Sequence, residues 1–286
     1  MLTTHQRYNA TAMSIPRVTI FCFEASYALA LLLELIYLFR PGGLLRLLVT
    51  LSGAAGLLAH TFYLVAQPLS LASQTGSLVF LSWILAMFYL YGSIHHRHLA
   101  WGLFVLPVVI GLIALAQVFG PATGNASSEQ ALLAFDLMQF WRILHIALFL
   151  LAAVGVSVSF VASVMYLVQA QRLKAKALPG RGIRLLSLER LETMNRRGIV
   201  WAFPLLTIGL IVGMVQMAQE GVQLQGWTDP RILSTLVLWL VFAIVLYLRY
   251  GFRLRGKRVA LLTIMAFALL LVTLVTSHHY KPGGLP

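Results

Sequence analysis

Residues 138–169 read MQFWRILHIALFLLAAVGVSVSFVASVMYLVQ, and no Asp, Glu, Lys or Arg occurs between Arg142 and Arg172. The hydrocarbon core of a bilayer is about 30 Å thick, and about 20 consecutive apolar residues cross it as an α-helix. This stretch is longer than one crossing requires. The sequence therefore predicts a transmembrane helix here that tilts or projects from the bilayer.

The rest of the chain has the same apolar character. Of its 286 residues, 60% are hydrophobic and only 10% are charged, values outside the usual range of soluble domains. They predict an all-α, polytopic membrane bundle of about eight transmembrane helices. We expect a polar N-terminal tail at residues 1–16 and one transmembrane domain at residues 17–286. The predicted spans are residues 17–39, 44–66, 74–94, 99–120, 138–169, 199–219, 231–250 and 258–277.

The formal net charge of +13 comes from 21 Lys and Arg residues against 8 Asp and Glu residues. Most of the basic residues fall in the connections that follow the first, third, fifth and seventh spans. This distribution is typical of topology signals and of contacts with anionic lipid, and not of a nucleic-acid surface. The positive-inside rule then predicts both termini outside the cytoplasm, in a multi-pass protein of the cell inner (plasma) membrane. The single cysteine, Cys22, excludes an intrachain disulfide.

The longest basic connection contains an amphipathic pattern. Leu185, Leu188, Leu191 and Met194 recur at three-residue spacing, and Ser187 is available as a helix cap. The pattern predicts a short helix on the cytoplasmic membrane surface. The sequence shows no convincing internal repeat, so one membrane domain is the simplest interpretation.

Four of the eight histidines are predicted near the outward-facing ends of three helices. His60 and His145 lie six or seven residues from these ends, roughly 10 Å deep at the helical rise, while His278 and His279 close the last span. Ionisable side chains at membrane depth usually face the bundle interior and mark functional sites. Because neutral imidazole is a common axial ligand of haem iron, the shared depth favours ligation. The alternative is one interhelical hydrogen bond for each histidine.

The outward-facing connection after the sixth span reads QGWTDP at residues 225–230 and is followed by Arg231. Trp227 is suited to stack on a porphyrin face, with Asp229 beside it in the same loop. Arg231 or Arg142 is suited to bind propionates. A tryptophan at this depth is equally typical of the aromatic belt of any membrane protein.

Other groups suggest different functions. Glu34 is close enough in sequence to pair with Arg40 or Arg46, whereas Glu24 has no obvious partner, and residues 95–98 form a histidine-rich turn. These groups motivate an alternative function as a small-ion or metabolite transporter. A second alternative is a structural membrane subunit without a cofactor.

The sixth span contains Pro204, which predicts a kink, and Gly209 with Gly213, which predicts close helix packing. No catalytic nucleophile set, nucleotide-binding loop or HExxH motif occurs in the sequence. The sequence therefore gives no support for hydrolytic or nucleotide chemistry, and any catalysis would consist of positioning haem for attachment to a partner.

Six segments share their order and spacing with one known family: residues 57–64 (LLAHTFYL), 76–83 (GSLVFLSW), 141–145 (WRILH), 171–174 (QRLK), 187–198 (SLERLETMNRRG) and 203–209 (FPLLTIG). They resemble the cytochrome c assembly superfamily, which contains CcsA, CcmC and smaller HemX-like proteins. The resemblance covers the second to the eighth span.

The resemblance implies a membrane protein that binds haem b through histidines near an external tryptophan-rich loop. By position, His145 matches the first external histidine, His278 or His279 the second, and His60 the histidine of the second span. The loop falls at residues 227–231. We therefore predict that His145 and His278 or His279 are axial ligands, and that His60 is a further or transient one.

Two departures place the chain nearer the HemX-like branch. The tryptophan loop is shorter than in CcsA, and Tyr247 stands where CcsA has a second intramembrane histidine. The predicted function is to hold, move or present haem for cytochrome c maturation, or to act as an accessory to haem synthesis. The predicted partners are haem, other cytochrome c biogenesis proteins and apocytochrome c.

Overall fold

The computed structural model describes residues 20–67, 71, 73–95, 99–118, 137–175, 185–219, 230–251 and 256–276. Within these ranges the chain forms helices and no strand, which confirms the predicted all-α bundle. The helices are α1 Ile20–Phe39, α2 Gly43–Ala66, α3 Gln74–His95, α4 Gly102–Val118, α5 Leu137–Lys174, α6 Leu188–Gln219, α7 Pro230–Tyr250 and α8 Lys257–Thr276.

Seven of the eight described helices are long and apolar enough to cross a membrane, and the shorter α4 is apolar as well. The chain is therefore a multi-pass membrane protein. Helix α5 has 38 residues, which corresponds to about 57 Å and exceeds a hydrocarbon core of about 30 Å. It extends beyond a single crossing, as its sequence predicts. The placement of both termini outside the cytoplasm stays a prediction.

The helices form two rings of four. In the first ring α1 packs on α2, α2 on α3, α3 on α4, and α4 back on α1. Helices α5 to α8 make the same closed circuit in the second ring. The rings meet where α3 contacts α5 and α8 and where α4 contacts α5. Each ring is thus an antiparallel four-helix bundle with short connections between neighbours.

The two ends of the bundle differ in charge. Helices α1, α3, α5 and α7 finish at the end that carries Arg46, Lys174, Arg249 and Lys257, which we call the basic end. At this end Arg46 of α2 pairs with the buried carboxylate of Glu34 in α1 over 3.3 Å. The pairing predicted for Glu34 is therefore confirmed, with Arg46 as the partner.

The two rings bury matching positions. The spacing of the buried residues in α2 is repeated in α6. Val49, Gly53, Gly56 and His60 of α2 have the same spacing as Asn195, Ile199, Ala202 and Leu206 of α6. The same holds for α3 and α7. Ser82, Ala86, Tyr89 and Ser93 of α3 have the same spacing as the buried Leu238, Phe242, Val245 and Arg249 of α7. Spacings of three and four residues keep each set on one helix face.

A hydrogen bond between neighbouring helices also recurs in both rings. The indole Nε1 of Trp83 donates to Thr61 Oγ1 over 2.9 Å between α2 and α3. The indole Nε1 of Trp239 donates to Thr207 Oγ1 over 2.9 Å between α6 and α7. The expectation of no internal repeat is therefore wrong. The repeat is hidden in the sequence because many of the matched buried positions hold chemically different residues.

The prediction of a separate surface helix around residues 184–194 is also wrong. Residues from Leu188 onward belong to α6, and Ser187 precedes this helix as a cap, with its Oγ accepting from the Arg190 N–H over 3.4 Å. Leu191 is fully buried. The three-residue spacing of the apolar residues from Leu185 to Met194 therefore reflects packing inside the second ring and not contact with a membrane surface.

A buried polar network anchors the first part of α6 inside the second ring. The amide of Asn195 donates to Ser163 Oγ over 2.8 Å and to Thr263 Oγ1 over 3.0 Å, which joins α6 to α5 and α8. Arg249 Nη1 of α7 donates to Asn195 Oδ1 over 2.8 Å. All four helices of the second ring therefore meet at Asn195 near the basic end.

Candidate functional site

The predicted ligands fall on different parts of the chain. His60 and His145 lie in α2 and α5, within the described residues. The backbone of Arg231 belongs to α7, but its side chain is outside the described part. The remaining predicted site residues lie outside the described ranges: Trp227, Asp229, His278 and His279.

His145 occupies the third turn of α5 and faces α6. Its Nδ1 lies 2.7 Å from the backbone carbonyl oxygen of Gly209. A carbonyl oxygen only accepts hydrogen bonds, so Nδ1 carries the proton and the lone pair resides on Nε2. Histidines that ligate metals usually donate their other ring N–H to such an acceptor, which holds the ring in place. The geometry of His145 therefore fits an axial ligand that binds through Nε2.

Glycines of α6 make room for this imidazole. A Cβ atom built on Gly213 would lie 2.8 Å from His145 Cε1 and 3.0 Å from Nδ1. A Cβ on Gly209 would lie 3.4 Å from Leu148 Cβ. The sequence predicts close helix packing at Gly209 and Gly213. In the structure, this close packing is against α5 at His145.

Trp141 lies one turn before His145 and is a further candidate site residue, which the sequence reasoning did not select. Its ring packs edge to face on Phe140, with centroids 5.8 Å apart. Its Nε1 is buried and has no hydrogen-bond acceptor among the described residues. The four-residue spacing in the WRILH segment is the signal that pointed to it, because residues four apart share a helix face.

His60 has a different environment inside the first ring. Its side chain is 0% exposed, and its ring stacks on Phe23 of α1 with centroids 4.1 Å apart and an angle of 6° between the planes. The Tyr27 hydroxyl lies 3.4 Å from Nδ1. The Val79 backbone lies near the ring, yet Nε2 is buried without a hydrogen bond of acceptable geometry. Iron would bind at Nε2, on the edge of the ring, and this atom is fully buried, so a macrocycle does not fit beside His60 in this packing.

The two described histidines, His60 and His145, do not lie in the same site. Both lie toward the end opposite the basic end, but His60 packs within the first ring and His145 within the second. Helix α5 does pack on α8, which finishes at Thr276 at that same opposite end. A hydrogen bond between Gln74 of α3 and the Val275 carbonyl anchors this end of α8.

The groups that motivated a transporter have ordinary partners. Glu24 of α1 accepts a hydrogen bond from Gln117 of α4. His95 stacks on Tyr91 with centroids 4.1 Å apart; residues 96–98 lie outside the described part. No group of three His, Cys, Asp or Glu side chains capable of holding a metal ion occurs in the described ranges.

A family model described as "Cytochrome C assembly protein" matches residues 71–283 of the chain. The chain belongs to the cytochrome c assembly protein family. The matched range contains α3 to α8 with His145, His278 and His279, whereas His60 in α2 precedes it.

Curated relatives agree with the family assignment. Protein HemX of Bacillus subtilis is 29% identical over 57% of this chain, and the match covers 58% of HemX, which is under two thirds of its length. The cytochrome c biogenesis protein CcsA of Mesostigma viride is 26% identical over 91% of this chain and 93% of its own length. CcsA of Gloeobacter violaceus is 23% identical, over 86% and 87% respectively. No solved structure matches the chain.

Proposed function

We propose that this protein binds haem b toward the end of its second ring opposite the basic end and holds, moves or presents it for cytochrome c maturation. The observation that carries the proposal is the hydrogen bond from His145 Nδ1 to the Gly209 carbonyl over 2.7 Å. It leaves Nε2 as the ligand atom and fixes the plane of the ring. The assignment of the chain to the cytochrome c assembly family supports haem as the group that is bound.

His278 or His279 would hold the iron together with His145. Both residues follow α8 within three positions of Thr276, its last residue, and α8 packs directly on α5. Because α5 starts and α8 finishes at the same end, the chain leaves α8 at the end of the bundle where His145 lies. Ligation by two neutral histidines is a common arrangement for haem iron.

The remaining predicted site residues supply contacts with the macrocycle. Trp227 stacks on its face, Arg231 binds a propionate, and Asp229 orients the loop that holds them. His60 acts as a further or transient ligand, for which the packing that buries its Nε2 has to open. These roles rest on sequence position and on the burial of His60.

The protein supplies binding and orientation, and the haem supplies the reactive vinyl groups. His145 holds the iron, and the cysteines for thioether bonds come from an apocytochrome c partner. The relatives named as cytochrome c biogenesis proteins support this division of roles. The membrane proposed for the chain is the inner (plasma) membrane. A role as an accessory to haem synthesis, as a HemX-like protein, uses the same site.

The test is an absorption spectrum of the full-length protein, purified in detergent after expression with ample haem. We expect a Soret band that disappears in His145→Ala and returns when free imidazole is added, since imidazole replaces the missing ligand. His95→Ala is the matched control, because His95 is exposed at the basic end, and it should keep the band. A colourless wild-type protein, or an unchanged band in His145→Ala, would overturn the proposal.

A further inference from the structure

An apolar groove of about 480 Å³ runs along the junction of the two rings. Helix α4 of the first ring forms one wall, and α5 and α8 of the second ring form the other. All twelve lining residues are apolar or glycine, among them Pro107, Gly111, Phe160, Val164, Phe267 and Leu271. The volume is within the range of small-molecule sites, about 300 to 1,000 Å³. It is distinct from the His145 site, because its lining on α5 begins at Phe160, 15 residues after His145 and about 22 Å along the helix.

Gly111 creates much of the open space in the groove. A Cβ atom built at Gly111 meets nothing within 4 Å, in contrast to the Cβ atoms built on Gly155, Gly198 or Gly213. Glycine costs up to about 1 kcal/mol relative to alanine inside a helix, and the packing around Gly111 does not require it. Pro107, one turn earlier on the same face, also has a short side chain. A concave surface is therefore built into α4.

Basic residues lie at the end of the bundle where the α4 wall of this groove begins, at Leu103. Lys257 and Arg258 are exposed at the start of α8, at the basic end. At 3.6 residues per turn, Leu271, 14 residues after Lys257, lies within about 40° of it around α8, whereas Phe267, 10 residues after it, lies about 80° away. The distances along α8 are about 15 and 21 Å at 1.5 Å per residue. One leaflet of the core is about 15 Å thick, so a lipid whose phosphate binds Lys257 has its acyl chain beside the part of the groove between the basic end and Phe267.

We propose that this groove is a binding site for an anionic phospholipid, with one acyl chain between α4, α5 and α8 and the phosphate on Lys257. The apolar lining matches an acyl chain, and the positive charge at its end matches an anionic headgroup. Because the groove lies where the rings meet, the bound chain fills a packing defect between them. The lipid therefore stabilises the junction of α4 with α5.

The test is native mass spectrometry of full-length protein in mild detergent, with added phosphatidylglycerol or phosphatidylcholine. We expect phosphatidylglycerol to bind at least about fivefold more than phosphatidylcholine, since only its headgroup carries net negative charge. Gly111→Leu fills the groove and should lower bound phosphatidylglycerol at least about fivefold. The matched control Ala114→Leu adds the same bulk to an exposed position of α4 outside the groove and should bind as wild type.

The headgroup contact is tested separately with Lys257→Gln and the control Arg40→Gln, a charge removal at an exposed position in the first ring. Only Lys257→Gln should remove the preference for phosphatidylglycerol. Equal lipid binding by Gly111→Leu and Ala114→Leu would refute the groove, and a preference unchanged in Lys257→Gln would refute the headgroup site. A fall in haem content with unaltered lipid binding in Gly111→Leu would make the groove a haem path and overturn the lipid proposal.

Discussion

The imidazole of His145 lies against the α-carbon of Gly213, so close that a methyl group on Gly213 would come within 2.8 Å of its Cε1. Replacing Gly213 by alanine therefore has to displace the ring from α6. We expect Gly213→Ala to weaken the hydrogen bond from His145 to Gly209 and to cost about 1 to 3 kcal/mol of unfolding free energy, as overpacking typically does. Reversible unfolding in mixed micelles measures this cost.

Gly111→Ala is the matched control for this prediction. Both substitutions add one methyl group to a helical glycine, but the Cβ at Gly111 meets nothing within 4 Å. We expect its stability to change by less than about 0.5 kcal/mol, or to rise slightly through helix propensity. Equal effects of the two substitutions would contradict the contact between His145 and Gly213.

The network at Asn195 should contribute more to stability than a surface polar residue. Asn195→Ala removes the acceptor of the buried Arg249 guanidinium and the donor to Ser163 and Thr263. We expect a loss of about 2 to 4 kcal/mol, because a buried cation then loses a partner. Glu189→Ala, an exposed position on the same helix, should change the unfolding free energy by less than about 0.5 kcal/mol. A similar small change at Asn195 would show that the network is not stabilising.

The two matched tryptophan–threonine bonds should have equal energetic effects. Thr61→Val and Thr207→Val each remove the acceptor of one indole N–H while keeping the side-chain shape. We expect each to cost about 0.5 to 1.5 kcal/mol. Because the bonds lie in different rings, the double variant should be additive within about 0.5 kcal/mol. A strong coupling energy would show that the rings do not behave as separate units at these sites.

We expect His60 to stabilise the fold by packing and not to ligate haem in the resting protein. His60→Ala removes a fully buried ring from its stack on Phe23, and we expect a loss of about 2 to 4 kcal/mol from the resulting cavity. His60→Phe keeps an aromatic ring there and should recover most of that stability. The Soret band of the resting protein should persist in His60→Phe. Its disappearance would make His60 a resident ligand and contradict the packing described above.

The sequence by itself determined the helices, their number and the membrane environment. About 20 apolar residues are needed to cross a bilayer, and the spaced apolar stretches, such as residues 138–169, satisfy that requirement one after another. The family also followed from local segments of the sequence, and the same segments predict the role proposed for His145. These properties depend on residues that are close along the chain.

Only the tertiary structure decided which helices meet and what each histidine contacts. In a chain this apolar, every face of a helix is hydrophobic enough to be buried or to face lipid, so hydropathy does not identify the neighbour. The two-ring repeat was hidden because matched positions such as His60 and Leu206 differ in chemistry. His145 and Gly209 are 64 residues apart in sequence, and only the packing of α5 on α6 places the carbonyl of one at the Nδ1 of the other.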